Sequence, residues 1–238
     1  KVGVKCQNGV DVCIVDGSMI AGKFDVNTGH GESSVAIWNS TVGYNDATPR
    51  GTVFSNVSIS SGNDLSEIWF ADSYLPGNVK INNGNGSSMS VIERTEIGGQ
   101  LNYKAQNGVD ALVVEFTSVG GKTNINLGNG ADMLGVDDSV FMDQFVANMG
   151  NDSDIVAIEI NYTEGYEDPS DFYGKVNLIG ANGDDYFQLG EYDVPGAYAV
   201  FYDAVTVNGG GGWDMLNVDD NGSEFWGPTN GISLEDVY

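Results

Sequence analysis

The chain has 238 residues, and 34 acidic against 9 basic ones leave a formal net charge of −25 at pH 7. A partner that presents phosphates needs a basic patch, so nucleic acid is excluded, and an anionic membrane surface is disfavoured on the same ground. No long apolar run reads as a membrane-spanning helix, and the chain opens directly on a strand pattern, as a processed or trimmed protein would.

From Lys1 onward one register of 22 residues organises the sequence. It is plainest where 78–99 (NVKINNGNGSSMSVIERTEIGG), 100–121 (QLNYKAQNGVDALVVEFTSVGG) and 122–143 (KTNINLGNGADMLGVDDSVFMD) follow one another. Nine copies begin at Lys1, Lys23, Asn56, Asn78, Gln100, Lys122, Gln144, Lys175 and Ala204. Each opens on two apolar positions separated by one residue, such as Val79 and Ile81. A polar arc follows, and then a second such pair, such as Leu112 and Val114. A fifth row, Ile20, Val42, Ile97, Val119 and Phe141, precedes the closing residues of several copies. Alternation of this kind marks strands with one buried face, and a fixed period of this length marks a solenoid. The expectation is an all-β, single-domain parallel β-helix over residues 1–219, with about nine coils near 4.8 Å apart in a rod about 40 Å long.

Three insertions interrupt the register, at residues 43–55, 161–174 and 190–203, and bring in Pro49, Pro169 and Pro195 with aromatics such as Tyr44, Tyr166, Phe172 and Tyr198. Insertions in solenoids map to loops off the coil, often on a binding face, although long surface loops are also tolerated at little entropic cost. Residues 220–238, with Phe225 and Trp226, lack the pattern and are expected to form a C-terminal tail or cap.

The first copy holds both cysteines. Cys6 and Cys13 flank the turn QNGVDV and point inward from facing strands on this register. That suits a disulfide, provided the Cβ atoms approach to about 3.8 Å, and a disulfide would mean an oxidising compartment. The other reading is two buried thiols acting as small apolar residues.

The arc between the two strands repeats in every copy and carries two rows. Asn8, Asn63, Asn85, Asn107, Asn129, Asn151 and Asn182 suit turns with positive φ and side-chain amides bonded rung to rung. The second row is Asp11, then Ser33, Ser66 and Ser88, then Asp110, Asp132, Asp154, Asp185 and Asp214. Stacked carboxylates about 4.8 Å apart repel by roughly 3.5 kcal/mol per pair at an effective dielectric near 20. A cation between rungs removes that cost. Carboxylate and carbonyl oxygens without imidazole or thiol select hard ions, Ca²⁺ above all, so these six aspartates are the candidate metal ligands. The alternative is a solvated acidic edge that blocks lateral aggregation.

At these residues the chain resembles the hemolysin-type (RTX) calcium-binding repeats. Residues 209–217, GGGGWDMLN, match the nonapeptide G-G-x-G-x-D-x-U-x; 180–188, GANGDDYFQ, depart by one alanine; 127–135, LGNGADMLG, lack only the first glycine; and 149–157, MGNDSDIVA, match more loosely. The resemblance implies Ca²⁺ held between successive turns by the aspartates and by glycine-rich carbonyls. The family's turns carry two such nonapeptides in 18 residues, whereas this chain has one in each 22-residue coil.

Three functions remain open on the sequence. The first is an extracellular, calcium-stabilised structural solenoid (surface layer, matrix, adhesin or filament subunit) whose open coil ends stack head to tail. The second is a glycan-binding adhesin that uses Tyr44, Tyr74, Tyr162, Tyr166, Tyr173, Tyr192 and Tyr202 as stacking platforms. The third is a polysaccharide lyase or hydrolase, for which Arg50, Arg94 and His30 are the scarce cationic groups. No catalytic residue stands out, and the expectation is a protein that is not an enzyme.

Overall fold

The computed structural model describes residues 1–45, 53–159, 168–190, 198–218, 223–232, 234 and 236–237. Each coil lays down three strands, as in Val79–Asn82, Ser88–Glu93 and Glu96–Ile97. Equivalent strands of successive coils pair in parallel, and among the described residues they build two ten-stranded sheets and one nine-stranded sheet. The register step is one repeat: Val79 pairs with Leu101, Leu101 with Thr123, and Thr123 with Phe145. The chain is therefore a parallel β-helix. Alternating side chains point into its centre, and stacking buries what no single coil could bury alone.

Three details differ from the sequence expectation. The row of Ile20, Val42, Ile97, Val119 and Phe141 forms a third sheet of its own, because two-residue strands such as Ser118–Val119 are too short to show alternation. Phe172 and the segment Ala199–Phe201 lie not in loops but in this third sheet, and Phe141, Phe172, Phe201 and Phe225 stack inside it at 5.0 Å intervals. The tail continues the solenoid: Glu224–Phe225, Thr229–Ile232 and Asp236–Val237 add one strand to each sheet. The preceding coil offers its unpaired main chain as a template, so pairing does not require the apolar pattern.

The disulfide is not formed, and Cys6 and Cys13 are free, half-buried thiols. Cys6 falls just past the end of Val2–Lys5, in the turn, whereas a bridge needs both Cβ atoms held at a strict separation. Burial, and secondarily the neighbouring Cys6, push the Cys13 thiol up from its ordinary pKa. At the base of the first insertion, Tyr44–Asn45 pairs antiparallel with Val53–Phe54. Pro49, Arg50, Tyr162, Tyr166, Tyr192 and Pro195 lie outside the described residues.

Candidate metal centre

The second sheet begins on the aspartate row. Asp110 opens Asp110–Glu115, and Asp132, Asp154, Asp185 and Asp214 directly precede Met133–Asp137, Ile155–Ile158, Tyr186–Leu189 and Met215–Val218. All five are at most 2% exposed, so the row is not a solvated edge; its carboxylates point into the solenoid. Each one reaches back to the preceding coil. The main-chain N–H of Asp110 donates to Oδ1 of Asp132 at 2.8 Å, Asp132 to Asp154 at 2.8 Å, Asp154 to Asp185 at 2.9 Å, and Asp185 to Asp214 at 3.0 Å. The file ends at Ser88, whose hydroxyl donates to Oδ1 of Asp110 at 2.5 Å and sits beside the buried Tyr103 hydroxyl. Asp11 stands apart, half-buried and in register with Ser33.

The second carboxylate oxygen is where the file is incomplete. Oδ2 of Asp110, Asp132, Asp154 and Asp185 is buried without a hydrogen-bond partner. Burial, with neighbouring carboxylates behind it, raises Asp132 and Asp154 to about 7 and Asp185 to about 6, and burial raises Asp110. Neither protonation state satisfies such a group. Ionised, it faces like charges in a dry interior; protonated, it leaves a buried donor unmet.

The glycines of the arc bring further oxygens to these carboxylates. A Cβ on Gly180 would lie 2.1 Å from Oδ2 of Asp185 and 2.5 Å from the carbonyl oxygen of Gly209, so the bare glycine leaves a carboxylate and a carbonyl oxygen facing one small space. Among the described residues, no three of His, Cys, Asp or Glu converge on one point. A cation between rungs would therefore take the rest of its shell from main-chain carbonyls. Hard oxygen donors of this kind fit Ca²⁺, which takes six to eight of them in flexible geometry.

Outside the file, the asparagine row forms the expected ladder. Nδ2 of Asn85, Asn107 and Asn129 donates to Oδ1 of the preceding asparagine at 2.9, 2.7 and 2.6 Å, and Asn182 donates to Asn151 at 2.6 Å. His30 occupies the same row, within 3.5 Å of Asn63. Arg94 is engaged by Asp72 and by Glu93. Tyr173 and Tyr202, candidates for sugar platforms, stack on each other with ring centroids 4.5 Å apart and planes 2° from parallel, and Trp226 continues the row. Their ring faces are turned toward one another.

A second ladder was missed in the sequence. Where the second sheet turns into the third, the N–H of Ser40 donates to Ser73 Oγ, Thr95 to Thr117, Thr117 to Ser139 and Ser139 to Ser170, all at 3.0–3.3 Å. Each turn there passes through a residue with positive φ: Asn39, Asp72, Arg94, Phe116 and Asp138. Beside it runs another acidic column, Glu93, Glu115 and Asp137 in register, followed by the fully buried Glu159. Burial, followed by Asp137 and Asp138, pushes Glu159 up to about 8. A hydroxyl and an acid recurring at the same two repeat positions were the signal available in the sequence.

Comparison of the chain with protein-family models, with curated proteins and with solved structures gives no match.

Proposed function

We propose that the chain is an extracellular structural β-solenoid stiffened by Ca²⁺, serving as a surface-layer, matrix, adhesin or filament element. The observation that supports this reading is the buried file of aspartates, each tied by Oδ1 to the coil before it, with Oδ2 of Asp110, Asp132, Asp154 and Asp185 left unpartnered. Asp110, Asp132, Asp154, Asp185 and Asp214 would hold the ions between coils, with glycine carbonyls completing the shells. Asp11 is the outlying candidate. The ions would neutralise a repulsive column in the wall of the rod, which is a stabilising role and leaves the surface free for assembly. Head-to-tail stacking of such coils into a filament belongs to the same reading.

The test is melting with chelator and with millimolar Ca²⁺, alongside calorimetric titration. Binding linked to folding raises the melting temperature with ion concentration, and Asp132→Asn should reduce the rise. A melting temperature indifferent to Ca²⁺ removes the cation from the reading.

A further inference from the structure

The corner where the second sheet turns into the third carries a groove that the aspartate file does not use. Two open spaces of about 590 and 430 Å³ lie end to end there and share Arg94 and Glu96. They run across the coils of Asn39, Asp72, Arg94, Phe116 and Asp138, four steps of about 4.8 Å or about 19 Å along the rod. One wall is this row of left-handed turn residues; the other is the outward row of the third sheet, with Thr41, Glu96 and Ser118. Left-handed backbone suits Gly, Asn and Asp, and the row has Gly17, Asn39, Asp72 and Asp138. Arg94 (φ 43°) and Phe116 (φ 47°) break that rule in adjacent coils, and both line the groove. Burial does not account for Phe116, which is 38% exposed. A bulky residue held in a strained turn with its ring in solvent points to a task at the surface.

We propose that this groove binds an uncharged polysaccharide, with Phe116 as the platform for a sugar ring and Glu96, Asp138 and Asp168 as acceptors for its hydroxyls. Each space has the size of a ligand pocket, roughly 300–1,000 Å³. The lining argues against other ligands. Among the described residues Arg94 is the one cationic group in it, and Asp72 and Glu93 hold its guanidinium. A phosphate or a uronate therefore meets carboxylates and no free cation. The main chain is engaged as well. The N–H groups of Tyr74, Glu96, Ser118 and Val140 each donate to the coil before, so an incoming peptide strand finds no sheet edge to extend. What remains is acceptors around an apolar ring. Glu96 and Asp168 are exposed carboxylates. Asp138 is 9% exposed; its Oδ1 accepts the N–H of Asp168 at 2.6 Å, and its Oδ2 has no hydrogen-bond partner. A sugar chain carries the complementary parts, hydroxyl donors around an apolar C–H face, and its hydrogen bonds to carboxylates are stronger than those between neutral groups. The site does not depend on the cation reading.

Affinity electrophoresis of the chain tests the proposal, in native gels cast with hydroxyethylcellulose, xyloglucan, galactomannan or pullulan, and with alginate as the anionic comparison. Calorimetric titration with oligolysine covers a cationic peptide. The expected result is dose-dependent retardation by at least one neutral polymer and none by alginate. Phe116→Asn puts the row's ordinary residue back into the turn. It should weaken the retardation about tenfold or more while the melting temperature holds or rises. Glu96→Ala, which leaves the turn untouched, should weaken it independently. Tyr173→Ala, in the stacked tyrosine pair outside the groove, should leave it unchanged. A chain retarded by no neutral polymer, retardation unmoved by both groove variants, or retardation lost in Tyr173→Ala would overturn the proposal. So would binding to alginate or oligolysine alone.

Discussion

The main-chain N–H of Asp132 donates to Oδ1 of Asp154, one coil further on, at 2.8 Å, while Oδ2 of the same Asp154 carboxylate is buried without a hydrogen-bond partner. One oxygen therefore holds two coils together and the other is available to a cation. Two substitutions separate the roles. Asp154→Asn keeps an acceptor for Asp132 and removes the charge, so it should melt no lower than the wild type in chelator yet gain less from Ca²⁺. Asp154→Ala also strands a buried N–H, and should lose about 1–3 kcal/mol with or without the ion. Paired melting curves in chelator and in Ca²⁺ check both.

The same file sets a pH dependence. Asp132 and Asp154 titrate near 7 in the folded chain and near 4 when unfolded. Between those values the folded state binds more protons, so their stabilisation is fully present below about pH 4 and is lost as pH rises through about 7. Asp25, half-buried, and Asp72, exposed, are held below the ordinary range by lysines and by Arg94 and act in the opposite sense only at lower pH. In chelator the melting temperature should fall from about pH 5 to about pH 8. In Ca²⁺ the fall should flatten, because the ion replaces the protons. A chelator profile that rises across this window would contradict the file's burial.

Glycines in the arc are predicted to be unequal. Gly150 has φ +115°, and a Cβ there would lie 1.7 Å from the carbonyl oxygen of Gly128. Gly150→Ala should cost more than about 1 kcal/mol, since backbone must shift on top of a strained φ. At Gly211 the nearest atom is 3.8 Å away, so Gly211→Ala should be neutral or mildly stabilising. Urea unfolding midpoints of the two variants make the comparison.

Much of this architecture is legible in the sequence, because the solenoid copies one coil many times. Val79, Leu101 and Thr123 stand in one sequence row and pair in space. The arc aspartates likewise fall on one row. Their inward direction was not legible, since the same spacing suits a solvated edge, and only the coil's curvature decides which way Asp132 points. The third sheet escaped because two residues carry no periodicity. Phe172 reads as loop in the sequence because the inserted residues before it break the count. The tail's place on each sheet was not legible, because Thr229–Ile232 pairs through its main chain, which leaves no apolar signature.

Glu159 completes the hydroxyl ladder at its broken rung. Ser139 donates its N–H to Ser170 Oγ, and the next rung would need a hydroxyl at residue 199, but Ala199 stands in register with Ser170 and has none. Oε1 of Glu159 accepts the Ser170 N–H instead, at 2.7 Å. Removing it with Glu159→Ala should orphan a buried donor and cost about 1–3 kcal/mol. Glu159→Gln retains an acceptor and should stay close to the wild type. It should also lose the pH dependence of a group raised to about 8, whose stabilisation falls as pH climbs through that value. The decisive variant is Ala199→Ser in the Glu159→Ala background, which restores a hydroxyl to the ladder and should recover part of the lost stability in urea unfolding. Because the rung lies apart from the aspartate file, the loss and the recovery should be equal in chelator and in Ca²⁺. No recovery would mean that Glu159 supports the coil by something other than the Ser170 bond.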